Sequence, residues 1–591
     1  MTRRKLLSGI CALVLVSGVF AVPVPKIMPS MEISVSAAET LTYEDFEYEI
    51  SGENVVITKY TGTDTAVVIP EKIDDIPVTR IGATCFMYNS ALYSVELPDT
   101  ITSIGGQAFR DCKKLAKINF PEGLETIEGW AFGGCSSLDE IKIPSTVTVI
   151  GDIAFSGCPI KEIELPEQLI VINYNTFANC TKLKSVVIPK NVKKIREGAF
   201  QGCTALTSVT LPDGLESLDS GFDGCTALTA VHVPDSVTYM AGTFNNCSSL
   251  ETVNIPTGIF KIGNNTFSRT AIKTIEIPEN VTEIGRFAFE GCPNLESIVI
   301  PDSVTAIDWC TFRNSTALTS VKLSAQLQTI PSSMFSGCTS LKSIEIPVNV
   351  TAISGGAFSG CTSLETFVFP ERIQTVSDSV LDGCISLKSV TLPDGIRKIG
   401  SNAFKGCSSL TEIQIPEKVE VIGTSAFRNC TSLKEVVLPD SVETVGDGSK
   451  AGNDHVFQGC TFLEKVKLPA QLTALYRDTF SGCEKLTDIT LPETLTYIGS
   501  NVFYGCKALS SVTLPPEIET VESECFSHCD SLSEIVIPDK VTTIGTKAFY
   551  QCPALQSVTL PEGLLTIGNT AFSYDTALEE ITLPESLETI S

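Results

Sequence analysis

The chain has 591 residues, 43% of them hydrophobic and 7% aromatic, and a formal net charge of −27. Such a composition can fold, but the length exceeds what one compact core usually holds. The negative charge argues against nucleic acid and anionic membrane surfaces, because both attract basic patches. A repeat architecture escapes the length limit, since each unit packs only on its neighbours.

The N-terminus has the features of a secretory signal peptide. Basic residues at positions 3–5 precede an apolar run over residues 6–21, and small residues at 36–38 precede Glu39. We expect residues 1–38 to be removed by cleavage near Ala38. The alternative is an uncleaved anchor, for which the run is short. No later segment has 18 continuous apolar residues, so no membrane insertion is expected after signal removal.

Residues 39–97 are rich in β-forming residues but lie outside a regular register. Segments 46–50 and 55–57 indicate strands, residues 60–64 indicate a turn, and residues 67–70 form a first strand with a closing proline. Because the first hydrophobic layer of a solenoid must be covered, we interpret this region as an N-terminal β-rich cap with a first imperfect coil.

From residue 98 onward a pattern with a period of 23 residues repeats. The stretch 121–143, PEGLETIEGWAFGGCSSLDEIKI, shows it. A proline, replaced once by Ser324, recurs at 22 positions, and twenty of the 29 phenylalanines share one slot, which Leu381 fills once. This self-similarity predicts a solenoid of about 22 coils over residues 98–591.

Each coil reads as a strand, a bend, a short helix and a return. Ile141 and Ile143 alternate with Glu140 and Lys142, which indicates a strand with one buried face. The proline ends the strand, the frequent Ile-Gly pair offers a residue that tolerates positive φ, and the Ala-Phe-x-x-Cys spacing suggests one or two inward-facing helical turns. The predicted fold class is an α/β solenoid with one continuous parallel β-sheet and short helical turns on the opposite side.

One coil is longer than the others, since 30 residues separate Pro439 from Pro469. The extra residues fall near 446–455, and their Gly-rich, polar character predicts a surface loop. The loop lacks the spacing of a calcium site and no glutamate closes it, so we expect no metal there. The chain ends at Ser591, before the next Ala-Phe, and we interpret the C-terminal coil as incomplete.

The motif L-x-x-I-x-L-P-x-x-L-x-x-I-G-x-x-A-F-x-x-C resembles the BspA-like leucine-rich repeats of bacterial surface and secreted proteins. Residues 183–203 match it position by position, and the resemblance covers about residues 55–591. It implies a right-handed leucine-rich-repeat superhelix, secretion, and adhesion or protein recognition, in some members of host matrix proteins. It implies no catalytic residues, so we expect neither an enzyme nor a cofactor.

Eighteen of the 22 cysteines occupy one slot of the repeat. A secreted, cysteine-rich chain suggests disulfides or metal, but the slot also accepts Thr270, Ser315 and Asp575. Stacked Cβ atoms about 5 Å apart are too distant for a disulfide, which prefers ~3.8 Å, and no C-x-x-C pair is available for zinc. We therefore expect free, buried thiols that fill the core.

The open face of the sheet is the candidate binding surface. Its outward positions, two and four residues before each proline, are polar and almost free of aromatic side chains, which argues against carbohydrate binding on an aromatic platform. An extended surface of mixed polarity suits a protein partner, although an exposed residue is often only solvated. The candidate ligand-binding residues are Glu140, Lys142, Glu162, Glu164, Val187, His232, Glu276, Val299, Lys322 and Glu345.

Two functions are compatible with these features. The first is a secreted or surface-displayed, non-enzymatic solenoid that binds an extracellular protein, as an adhesin or a host- or matrix-recognition protein. The alternative is a structural spacer that presents other modules and has no ligand of its own. Clustering of charge or apolar side chains on the outward positions would favour binding, and a uniform face would favour the spacer.

Overall fold

The computed structural model describes residues 40–449, 452 and 454–591. The predicted signal peptide, 1–38, lies outside the described residues. All the repeats lie within the unit Thr42–Ser591.

Residues 42–591 form a stack of coils in which each coil contributes up to two short strands. The strand just before the proline pairs in parallel with its counterpart in the next coil, and these strands form the first ladder. The strand just before the glycine does the same in the second ladder.

The strands of the first ladder are Ala66–Val68, Ser94–Glu96, Lys117–Ile118, Ser185–Val187, Ser208–Thr210, Ala230–Val231, Thr252–Val253, Ser297–Val299, Ser320–Lys322, Thr366–Val368, Ser389–Thr391, Glu435–Val437, Lys465–Lys467, Asp488–Ile489, Glu534–Val536 and Ser557–Thr559. The strands of the second ladder are Ile76–Ile81, Ser103–Ile104, Thr126–Ile127, Val149–Ile150, Val171–Ile172, Lys194–Ile195, Ser217–Asp219, Tyr239–Ala241, Lys261–Ile262, Glu283–Ile284, Ala306–Ile307, Thr329–Ile330, Ala352–Ile353, Thr375–Val376, Lys398–Ile399, Val421–Ile422, Thr444–Val445, Ala474–Leu475, Tyr497–Ile498, Thr520–Val521, Thr543–Ile544, Thr566–Ile567 and Thr589–Ile590. The remaining strands are Leu41–Tyr43, Phe46–Ser51, Asn54–Tyr60 and Lys72–Ile73.

An antiparallel hairpin precedes the regular coils. Phe46–Ser51 pairs with Asn54–Tyr60, and the latter strand then pairs in parallel with Ile76–Ile81 at the start of the second ladder. The Tyr60 ring lies 5.4 Å from the Phe46 ring and 5.1 Å from Phe86. The hairpin therefore continues both the hydrogen bonding and the aromatic packing of the coils.

A column of stacked rings fills the core. Neighbouring phenylalanines of the repeat slot have centroids 5.0–6.1 Å apart and nearly parallel planes. The column is interrupted at Leu381, where Phe358 instead contacts Phe367 edge-on at 4.9 Å. Because each ring repeats the position of the previous one, its spacing measures the distance between coils.

The predicted helical turns are wrong. The described residues contain no helix, and therefore none that could cross a membrane. In place of each helix stand turns with two left-handed residues four positions apart, such as Trp130 (φ 63°) and Gly134 (φ 80°), a conformation that a right-handed helix excludes.

The hydrogen bonds of these turns alternate between the coil and its neighbour. The Gly133 N–H donates to the Trp130 carbonyl at 3.0 Å within the turn, whereas the Phe132 N–H donates to the Ala154 carbonyl in the next coil at 2.8 Å. A helix keeps these bonds inside its own segment. The alternation instead lets the turns tie the coils together.

The role predicted for the Ile-Gly glycine is also wrong. Gly105, Gly400 and Gly545 are not among the residues with positive φ. A Cβ atom on Gly105 would lie 2.7 Å from the Ala83 nitrogen in the preceding coil. This glycine is required because two backbones approach closely, not because the chain bends there.

The sheet is not continuous as predicted. Among the described residues, 16 of 23 segments before the proline position form strands and seven do not. We call these seven the open coils; they are 139–143, 161–165, 273–277, 342–346, 411–415, 510–514 and 579–583.

The interruptions do not follow the spacing of the rings. Phe404 and Phe427, which flank the open coil 411–415, have centroids 5.3 Å apart, whereas Phe222 and Phe244, which flank the paired strand Ala230–Val231, have centroids 6.1 Å apart. Both ladders are nevertheless divided into separate sheets.

Candidate binding surface

The ten predicted binding residues all have exposed side chains. In the first ladder they alternate with buried residues, as Val187 does between Val186 and Ile188. Apart from Glu140, whose carboxylate lies 4.0 Å from the Lys161 ammonium, none forms a hydrogen bond or ion pair through its side chain with a described residue. Their exposure follows the predicted alternation, and a binding role for them stays a prediction.

The open coils lack backbone hydrogen bonds along most of their length. In 273–277, only the Lys273 carbonyl accepts a backbone bond, from the Glu296 N–H at 3.0 Å. The N–H groups from Thr274 to Ile277 donate to no described backbone carbonyl. The coils part slightly on this side, and their polar backbone is left to solvent.

Grooves lie where the coils part. One groove of about 1280 Å³ runs beside 273–277 and includes Glu276 and Val299 of the predicted set. Three further grooves of about 860, 740 and 460 Å³ lie beside 411–415, 510–514 and 342–346. The structure thus brings Glu276 together with Val299 and places Glu345 in a separate groove, whereas Val187, His232 and Lys322 line none of the four.

An exposed valine follows each groove. Two residues before the proline, the coil after an open coil carries Val187, Val299, Val368, Val437 or Val536, each 46–65% exposed. Each begins a new short sheet of the first ladder, and the N–H of the next residue donates to the following coil, as from Ile300 to Lys322 at 2.9 Å. A β-branched residue favours this extended conformation. Of these valines, only Val187 and Val299 are among the binding residues predicted from the sequence.

Two asparagines of the face close the ladder with their side chains. Asn119 accepts from the Leu97 N–H at 2.7 Å and donates to the Leu97 carbonyl at 2.8 Å. Asn254 does the same to Val233, with both bonds at 2.8 Å. The two side-chain amides replace missing backbone hydrogen bonds. Because they are already bonded to the backbone, they are not free to bind a ligand.

The grooves are acidic. Asp235, Glu276 and Glu279 line the 273–277 groove without a basic residue. The Thr257 N–H donates to the Asp235 carboxylate at 2.8 Å, and this bond holds the pKa of Asp235 below its usual range. Glu345 and Glu371 line the 342–346 groove, again without a base.

The other two grooves have the same sign. Four acidic residues and Lys434 line the 411–415 groove. Three acidic residues and Lys540 line the 510–514 groove, where Lys540 pairs with Glu517. Negative charge is therefore a shared property of the grooves.

The cysteine slot serves the core, as expected. All 21 described cysteines are free and buried. Each of the eighteen slot thiols donates a hydrogen bond of 3.0–3.4 Å to the carbonyl of the ring-slot residue in the preceding coil. The Ser315 hydroxyl makes the same bond to Phe289 at 2.8 Å. Spacing alone did not reveal this donor role, although the tolerated Ser and Thr were a signal of it.

The described part of the insertion, 446–449, 452 and 454–455, forms no strand, as predicted for a loop. Asp454 is buried and accepts the Asp447 N–H at 2.7 Å, and burial raises its pKa to about 6. These residues contact the turns rather than the first ladder.

Aromatic side chains cluster on the turns rather than on the predicted face. Tyr504, His528, Tyr550 and Tyr574 make successive edge-to-face contacts with centroids 5.2, 5.7 and 5.3 Å apart. Four coils thus share one row of aromatic side chains on the turn side. This row was not predicted from the sequence.

Comparisons with known proteins agree with the repeat. A family model described as the BspA type leucine rich repeat region matches overlapping segments between residues 79 and 576. No curated protein matches the chain.

Several solved structures are similar. A leucine-rich repeat protein from Bacteroides ovatus is 26% identical, with 77% of this chain and 98% of that one covered and a TM-score of 0.42. A leucine rich cell surface protein from Faecalibacterium prausnitzii is 28% identical over 60% and 95%, with a TM-score of 0.41. A leucine rich repeat protein from T. pallidum is 33% identical over 36% and 91%, with a TM-score of 0.28.

Proposed function

Because the chain belongs to the BspA-type leucine-rich repeat family, we propose that it is a non-enzymatic solenoid that binds an extracellular protein through its first-ladder face. It acts outside the cell or at the cell surface, as an adhesin or a recognition protein for host or matrix proteins. The signal-like sequence at 1–38 and the similarity to a cell surface protein of Faecalibacterium prausnitzii support this location.

One observation carries the proposal. The face formed by the first-ladder strands and the open coils between them presents side chains that the repeat leaves free to vary. The ten predicted residues on this face, six of them in open coils, are exposed and almost without partners. The face is also not uniform, since grooves and exposed valines recur along it. Recurring pockets with a mixed polar rim suit protein recognition better than a spacer.

A charge-reversal variant tests the face. Glu140, Glu162 and Glu164 lie on two successive open coils, and we would replace all three with Lys. The purified chain is screened for saturable binding to a panel of extracellular matrix and serum proteins at physiological salt. We expect at least one binder, whose affinity for the variant falls by about tenfold or more, since buried charge contacts in an interface contribute a few kcal/mol.

The matched control makes the same change in net charge at positions next to the second ladder. Glu125, Glu216 and Glu443 are exposed and immediately precede second-ladder strands, and their replacement with Lys should leave binding unchanged. Equal loss in both variants would place the interface outside the first ladder. Absence of any saturable binding would favour the structural spacer.

A further inference from the structure

We propose that the grooves beside the open coils bind extended, cationic segments of a partner protein, in which Lys or Arg alternates with small aliphatic residues. This inference rests on the proposed function, because it names the class of partner for the same face. Three features of the grooves carry it: their floor, their charge and their repetition.

Two of the grooves, beside 273–277 and 342–346, have a floor that is mainly apolar and accessible. In the 342–346 groove, Val348 is 80% exposed and Val368 is 60% exposed, with Ile344 half-buried beside them. In the 273–277 groove, Val299 takes the place of Val368. Small aliphatic side chains fit these positions, and covering exposed valine surface stabilises a complex by roughly 25 cal/mol per Å².

The charge of the grooves selects the sign of the partner. Glu276 and Glu345 form no ion pair with any residue of the described chain, and no basic residue lines either groove. Lysine or arginine on the partner would supply the missing counter-charge, and arginine can also donate two parallel hydrogen bonds to one carboxylate.

The geometry selects an extended chain. In a strand, alternate side chains point to opposite faces, so one set can enter the aliphatic floor while the other stays near the carboxylates of the rim. Each groove follows an open coil such as 273–277, which lacks most ladder bonds. A second extended segment can lie along it, which a compact or helical ligand of the same composition cannot do.

Repetition strengthens the interaction. Val299, Val368 and Val437 occupy the same position at intervals of three coils, which is roughly 15 Å at a coil spacing near 5 Å. A partner with several cationic segments can occupy successive grooves, and each additional contact is intramolecular and therefore favourable.

The experiment uses a defined probe. A fluorescent, glycine-flanked peptide of alternating lysine and valine is titrated with the full chain, and anisotropy gives the affinity at low and high salt. The comparison peptides replace each lysine with glutamate or group the same residues in two blocks. We expect the alternating lysine peptide to bind, the glutamate peptide not to bind, and binding to weaken with salt.

Matched variants localise the binding. One acidic residue from each groove is changed in the variant Glu276→Gln, Glu345→Gln, Glu412→Gln, Glu534→Gln. The control is Glu125→Gln, Glu216→Gln, Glu443→Gln, Glu588→Gln, which changes net charge equally at exposed positions before second-ladder strands. We expect about a tenfold weaker affinity in the groove variant, on the scale at which tenfold corresponds to ~1.4 kcal/mol, and no change in the control.

The outcomes separate this inference from the proposed function. Equal weakening in both variants, binding of the glutamate peptide, or no binding of the lysine peptide would each overturn the cationic partner class. If a protein binder then still loses affinity on reversal of Glu140, Glu162 and Glu164, the first-ladder function stands without it. If neither the lysine peptide nor a protein binder behaves as expected, both the cationic partner class and the first-ladder function are overturned.

Discussion

At the scale of single residues, the cysteine slot is a hydrogen-bond donor slot. The Cys361 thiol donates to the Phe335 carbonyl at 3.2 Å, and burial raises its pKa to about 12. A thiol that stays protonated keeps its donor and is a poor nucleophile. The presence of Ser315 in the same slot fits this role, because a hydroxyl is also a donor.

Substitution at this slot tests whether the cysteine is required as a hydrogen-bond donor or only for its volume. We expect Cys361→Ser to change the free energy of unfolding by less than about 1 kcal/mol, because the hydroxyl replaces the thiol as donor. Cys361→Val should cost ~1–3 kcal/mol, since it removes the donor and adds bulk to a packed core. Urea unfolding followed by tryptophan fluorescence measures both. Equal destabilisation by the two substitutions would rule out a donor role.

Asp575 fills the same slot with a carboxyl group and gives a pH-dependent prediction. Burial raises its pKa to about 7, although the Cys552 N–H donates to its carboxylate at 2.7 Å and opposes the shift. The unfolded value is about 3.9, so folding favours the protonated form. The stabilisation is complete below pH ~4 and is lost as pH rises through about 7.

Comparison of wild type with Asp575→Asn measures this effect. We expect the thermal midpoint of the variant to exceed that of wild type at pH 8, and the difference to shrink as the pH falls toward 4. Hydrogen exchange over residues 545–591 reports the same change locally. Parallel pH profiles for the two proteins would show that Asp575 is ionised in the fold.

At the scale of the structural element, the coil is set by close backbone contact and by left-handed turns. The sequence predicted which residues are buried, because the slots of Leu138, Phe132 and Cys135 keep the same residue type in most copies. It did not predict the turns, because residues as different as Trp130, Ile153 and Phe287 adopt positive φ at the same position. No side-chain pattern marks that first position, whereas the second left-handed position is most often Gly or Asn, as at Gly134 and Asn179.

Two glycines of one coil test whether glycine is needed because two backbones approach closely or because the chain is flexible there. A Cβ atom on Gly400 would lie 2.7 Å from the Asp378 nitrogen, whereas one on Gly395 would have no neighbour closer than 3.5 Å. We expect Gly400→Ala to destabilise by ~1–3 kcal/mol through steric strain, and Gly395→Ala to stay within about 1 kcal/mol of wild type. Urea denaturation of the two variants tests this. Tolerance of Gly400→Ala would contradict the close-contact explanation.

The ring column gives a second prediction at this scale. Phe312 is fully buried between Phe289 and Phe335, with centroids 5.4 and 5.5 Å away. Its replacement by Ala should cost ~3–5 kcal/mol, because it leaves a cavity between two rings. Phe260, which is 65% exposed, is the control, and Phe260→Ala should have little effect on the unfolding midpoint. Unchanged unfolding of Phe312→Ala would contradict the stacking.

At the scale of the whole repeat array, the sequence predicts the register and not the interruptions. The proline and phenylalanine positions mark the coils, and the alternation of Glu140 and Lys142 with Ile141 and Ile143 correctly places the exposed face, although 139–143 forms no strand. The open coils carry the same proline, phenylalanine and alternating pattern as the coils whose strands pair. The grooves lie beside the open coils, so no local motif could have identified them.

Three of the valines that begin short sheets, Val299, Val368 and Val437, are spaced three coils apart. At every junction between an open coil and the next sheet, the first strand of that sheet carries an exposed valine at the same position, as at Val299, Val368 and Val437. Loss of residues 301–369 would join Ile300 to Pro370 and recreate a junction of the same kind. A gene that encodes such an array can therefore gain or lose whole units by recombination between copies. The array then changes in length while the contacts between neighbouring coils stay of the same kind.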